Sequence, residues 1–144
     1  MPTLDAAVAM HGTAPTVDGI RLSLHVLAGA IWVGGQLTVG GLLPTVRRLG
    51  ADAPRQVATA FARFMWPAFA VLVVTGIWNI SAVGSGRTSA WQAVLGAKMA
   101  VVAVSGVAAY AHSRATTRRG LAVGGALAGV SSTAALLLGI FLAG

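Results

Sequence analysis

Four long apolar runs, at 22–43, 61–83, 91–111 and 121–143, alternate with short polar segments along the chain. Each holds about 20 residues or more. At about 1.5 Å of rise per residue that is enough to cross a hydrocarbon core about 30 Å thick. The connecting segments are short, so neighbouring helices are expected to run antiparallel. The pattern predicts an all-α integral membrane protein, a four-transmembrane-helix bundle of up-down-up-down topology. Pro44 follows the first run and is expected to end it. Residues 45–60, with Arg47, Arg48, Asp52, Pro54 and Arg55, read as a polar loop. Residues 1–19 are mixed in character and read as a short external arm ahead of a membrane domain at 20–144. Arg21 and the apolar residues after it bear a faint likeness to a secretory signal. The run continues well beyond Ala30, however, which suits a span and not a cleaved segment.

Composition strengthens this picture. The chain is 56% hydrophobic and 9% charged, whereas soluble domains carry about 25% charged residues. So few charges do not clothe a soluble surface, and lipid is expected to do so. The net charge of +7 would point to nucleic acid in a soluble protein. Here the basic residues lie between apolar runs and no nucleic-acid motif is present, so they read as topology signals. Arg47, Arg48, Arg55, Arg63, Arg114, Arg118 and Arg119 fall on one side. Arg21, Arg87 and the deeper Lys98 fall on the other. By the positive-inside rule both termini are expected outside.

Several chemistries are excluded. There is no cysteine, hence no disulfide and no thiolate site. The acidic residues are Asp5, Asp18 and Asp52, all outside the runs, which rules out paired-carboxylate catalysis within the membrane. No phosphate loop, nucleophile elbow or metalloprotease helix is present. The chain is not expected to be an enzyme unless a bound cofactor supplies the chemistry.

Helical spacing shows which faces turn inward. His25, Gly29, Trp32 and Gln36 are four, three and four residues apart and share one face of the first helix. Trp91, Lys98, Ser105 and His112 recur every seven residues on the third. Thr75 and Asn79 sit together on the second. Polar side chains are costly in lipid, so these faces are expected to point into the bundle. By depth, His25, Asn79 and Lys98 should meet in the outward half, while His112 belongs to the opposite end. A neutral imidazole at His25 is a ligand for copper or haem iron, with Trp32 on the same face as a packing or cofactor contact. Lys98 reads as a ligand, a proton carrier or the partner of an anionic group, or as a residue snorkelling outward. Met10 and His11 in the arm offer thioether and imidazole, which suit copper at an outer entrance. Trp78 and Trp91 fit an aromatic belt. In the fourth run Gly125 and Gly129 form a G-x-x-x-G, which reads as helix packing or as a dimer face.

The stretch HVLAGAIWVGG, from His25 to Gly35, resembles the first-helix signature of the copper-resistance protein D (CopD) membrane domain. Arg63-Phe64 and the run VTGIWN ending at Asn79 resemble that domain's next helix. Trp91 to Met99, with Gly96 and Lys98, resembles the lysine-bearing segment after it. The resemblance covers roughly 20–119. It implies a multi-pass protein of the bacterial inner membrane that handles or transports copper, with His25 as a ligand. Such a short chain would then act as a homo-oligomer or with a periplasmic copper carrier. His25, Trp32 and Lys98 also resemble the pattern of HemJ-type protoporphyrinogen oxidases, which implies haem b on His25 with Lys98 beside it. The sequence departs from that pattern after Leu43-Pro44, where the usual Leu-Pro-Arg and aromatic-rich segment is missing. A third expectation is a cofactor-free accessory subunit that binds a larger partner through the small-residue face of the fourth helix.

Overall fold

The computed structural model describes residues 16–84 and 86–143. They form four helices: α1 (Val17–Arg48), α2 (Ala53–Ala82), α3 (Ser89–Arg114) and α4 (Arg118–Ala143). All four are long and apolar enough to cross a membrane. Their 32, 30, 26 and 26 residues exceed the 20 or so needed, so the helices continue past the hydrocarbon core. Large apolar side chains face outward along every helix, among them Val26, Phe64, Val107 and Phe141. Such a surface is tolerable only against lipid. The chain is a multi-pass, all-α membrane protein.

Local chemistry sets the helix ends. Thr16 and Thr88 cap α1 and α3, each accepting a hydrogen bond on Oγ1 from the amide three residues on. Thr117 does the same for Gly120 at the start of α4. The α2 helix opens instead with Pro54 in its first turn, where a missing amide costs nothing. Two boundaries differ from the sequence expectation. The α1 helix does not stop at Pro44 but runs on to Arg48. Only the last turn follows the proline, so a single helical bond is forgone. The supposed loop 45–60 shrinks to four residues, because Ala53 to Ala60 already belong to α2. The α1 helix also begins inside the expected arm, at Val17.

The helices associate chiefly as two hairpins, α1 with α2 and α3 with α4, and α1 also touches α4. Contacts across α1 and α2 pair rising with falling residue numbers. His25 bonds Thr75, Gly29 meets Leu72, and Gly35 meets Phe61 and Met65. A Cβ at Gly35 would lie 2.6 Å from the Phe61 ring, so the glycine is what lets these helices close. Between the hairpins lies an aromatic core. The Trp32 ring centroid is 4.4 Å from Phe69 and 5.9 Å from Trp66. Val33 and Met65 complete the buried cluster. The Trp32 indole N–H donates to Ser105 Oγ at 3.0 Å, which ties α1 to α3.

Candidate functional site

The register of the helices brings the polar residues into layers. Trp32 and Ser105 lie 73 positions apart and touch. The same offset separates His25 from Lys98, so the imidazole and the amine stand at one level of the bundle, two turns from the Trp32 layer. On α2 that level is occupied by Thr75 and Gly76, and on α4 by Gly139.

The hydrogen bonds of this layer fix the state of His25. Thr75 has one hydroxyl proton, and its Oγ1 lies 2.7 Å from the Val71 carbonyl and 3.2 Å from that of Leu72. A carbonyl accepts only, so the proton goes there. The hydroxyl oxygen therefore accepts from His25 Nδ1–H, at 2.9 Å. In the neutral ring this leaves the lone pair on Nε2. The ring lies against Gly76, where a Cβ would approach Cε1 to 3.3 Å. Lys98 reaches toward α4, and a Cβ on Gly139 would be 3.0 Å from its Nζ.

One turn nearer the start of α1, the register set by the His25–Thr75 bond puts Arg21 level with Asn79 of α2. Arg21 is buried, and its Nη2 pairs with Asp18 at 3.2 Å. Its Nε and the Asn79 Oδ1 are both buried without a partner among the described residues. Asn79 thus follows Thr75 by about one helical turn on α2.

Trp32 has its ring enclosed by aromatics and its N–H spent on Ser105, which makes it a packing anchor beneath the layer. Met10 and His11 lie outside the described residues. Among the described residues, no three His, Cys, Asp or Glu side chains gather to hold a metal.

The heptad stripe on α3 is one face, as its spacing predicts, and that face lies on α4. Trp91 Nε1 donates to the Leu142 carbonyl at 3.5 Å, Lys98 meets Gly139, and Ser105 donates to the Ala128 carbonyl. His112 donates from Nδ1 to the Leu121 carbonyl at 2.8 Å. Gly125 packs on the His112 ring, whereas Gly129 has open space beside it. Half of the G-x-x-x-G is therefore used inside the chain.

Sequence reasoning grouped Thr75 with Asn79 but did not pair it with His25, and it did not set Arg21 level with Asn79. Both follow once α1 and α2 are set antiparallel and in register. No protein-family model, curated protein or solved structure matches this chain.

Proposed function

We propose that this chain is a copper-handling protein of the bacterial inner membrane, related to the CopD membrane domain it resembles, with His25 as a metal ligand. The observation that carries the reading is the hydrogen bond from His25 Nδ1 to Thr75. Metal-binding histidines almost always give their second ring nitrogen to an oxygen acceptor, which orients the ring and raises the basicity of the free nitrogen. His25 has that arrangement within a membrane-embedded layer, where an ionisable group is expensive unless it has a task. Copper is the cargo, and a single imidazole suits a site that must also release its metal. Further ligands come from Met10 and His11, from a second copy of the chain, or from a periplasmic carrier.

In this reading the four spans alternate across the membrane with both termini outside. Seven of the ten basic residues lie at the end formed by the α1–α2 and α3–α4 turns, which the positive-inside rule assigns to the cytoplasm. The test is metal analysis of detergent-purified protein after growth with copper, beside copper tolerance of a deletion strain carrying wild type or His25→Ala. Copper that copurifies with wild type and not with His25→Ala supports the reading. Equal metal content and equal tolerance in both would sink it.

A second reading is a haem b site, and the shared level of His25 and Lys98 favours it. Porphyrin supplies four ligands, so one imidazole suffices for its iron. The residues present fit that group: His25 would ligate it and Lys98 would neutralise a propionate. A haem there would supply one-electron chemistry. A Soret band that shifts on dithionite reduction and vanishes in His25→Ala would transfer the assignment to haem. A protein that stays colourless with added haemin would end that reading.

A further inference from the structure

The basic end of the bundle carries a groove that the His25 layer does not explain. It has a volume of about 350 Å³ and is lined by Arg55, Gln56, Thr59, Ala60 and Arg63. Arg55, Thr59 and Arg63 are spaced four apart, so two guanidiniums flank a hydroxyl on one face of α2. Both arginines are exposed. The ion pair among the described residues is that of Arg21 with Asp18, which leaves both guanidiniums without a carboxylate. Asp52, the nearest acid in sequence, does not pair with Arg55.

The face continues beyond the groove without interruption. Pro67, Ala70, Val74 and Ile77 follow Arg63 at helical spacing, and all four are exposed. Val74 and Ile77 are 63% and 57% accessible, so no other helix among the described residues covers the strip. Arg63 to Val74 spans about 16 Å along the axis. That is one leaflet's share of a hydrocarbon core of about 30 Å. A shallow, open groove flanked by two guanidiniums therefore leads onto an apolar track one acyl chain long. The opposite face of α2, with Met65, Phe69, Leu72 and Thr75, is committed to the bundle.

We infer that this face of α2 is a binding site for an acidic phospholipid. The phosphate lies between Arg55 and Arg63, Thr59 and Gln56 bond its oxygens or the headgroup, and an acyl chain lies along Pro67 to Ile77. A guanidinium is matched to a phosphate in both charge and fork geometry. A zwitterionic lipid brings its own ammonium to the same groove and gains less. The site stands on α2 alone and does not depend on what His25 binds.

Native mass spectrometry of the full chain, released from nanodiscs of mixed phosphatidylglycerol and phosphatidylcholine, reads the site directly. Wild type should retain phosphatidylglycerol over phosphatidylcholine by on the order of tenfold, and R55Q/R63Q should lose that preference. R118Q/R119Q, which removes the same charge from the start of α4, should keep it. R55K/R63K should keep part of it, since the charge remains and the fork is lost. Circular dichroism of each variant checks that the helices are intact. The inference is overturned if wild type shows no preference, if R55Q/R63Q keeps it, or if R118Q/R119Q loses it equally. Complete displacement of the lipid by excess inorganic phosphate would also overturn it, by assigning the groove to a free anion.

Discussion

His25 and His112 each give Nδ1–H to an oxygen on the neighbouring helix, but the two oxygens differ. His25 is held by a side chain, the Thr75 hydroxyl, within the α1–α2 hairpin. His112 is held by a backbone carbonyl, that of Leu121, within the α3–α4 hairpin. Their surroundings differ as well. His25 lies level with Lys98, two turns from the Trp32 layer. His112 lies beside the basic turn, with the α4 backbone at Gly124 and Gly125 pressed against it. A Cβ on Gly124 would stand 3.1 Å from the His112 Cα, so the two helices touch through backbone there. The anchor of a histidine inside a membrane protein decides what its ring does. A helix that brings glycines to a ring uses the ring for closure. In the proposed reading, the Thr75 hydroxyl that holds Nδ1 orients the His25 ring and leaves Nε2 to the metal.

Removing each ring in turn has the largest expected effect. His25→Ala should abolish bound copper, a loss of more than about a hundredfold in affinity for a site with one strong protein ligand, and leave the helices formed. His112→Ala should leave copper content unchanged. Isothermal titration with copper of both purified variants decides it, and a metal loss in His112→Ala alone would reverse the assignment.

Next in size is the anchor. Thr75→Val keeps the shape and removes the acceptor for Nδ1–H. Loss of such an outer partner costs about 10–100-fold in metal affinity. Thr75→Ser should restore most of it, because the hydroxyl returns. If valine and serine bind copper equally well, the Thr75 hydrogen bond does not set the ligand.

The sequence carried the fold further than it carried these partnerships. Four apolar runs with sparse charge fix four membrane helices, because lipid enforces internal backbone bonding. Hydropathy marks the stretch in lipid, however, and not the whole helix. Arg47, Arg48, Arg55 and Gln56 are polar yet helical, and Pro44 falls too late in α1 to end it. Single-helix faces were legible too. The 4-3-4 spacing from His25 to Gln36 and the heptad stripe from Trp91 to His112 are both real faces. What lay hidden was register between helices. That His25 meets Thr75, or that Arg21 lies level with Asn79, depends on where two helices are clamped together. Here the clamp is a glycine, Gly35, under Phe61 and Met65, and a single glycine among nineteen does not announce that role.

On the His112 side the expected effects concern stability. Gly124→Leu forces side-chain atoms into the His112 backbone, which is less able to yield than the end of a side chain. Overpacking of this kind costs about 1–3 kcal/mol. It should lower the thermal midpoint in detergent and leave copper affinity as it was. Gly139→Leu makes a useful contrast, since the atom it meets is the mobile Lys98 Nζ, 3.0 Å from the Cβ position. It should cost less.

The smallest expected effect lies at the His112 bond itself. The His112 bond to Leu121 ties two helices whose turn is only three residues long and already holds them together. Hydrogen bonds between membrane helices contribute about 0.6 kcal/mol on average, because the separated helices find other partners. His112→Ala loses that bond and leaves a small space beside Gly124 and Gly125, which the close helices partly fill. A decrease of about 1 kcal/mol is therefore expected, readable as a small shift in a denaturant titration in mixed micelles. His112→Asn tests the cause, since an amide can still donate to Leu121 and should recover part of the loss. A decrease several times larger in His112→Ala, unrelieved by asparagine, would mean that the ring has a second partner. His112 would then have to be counted with His25 as a ligand.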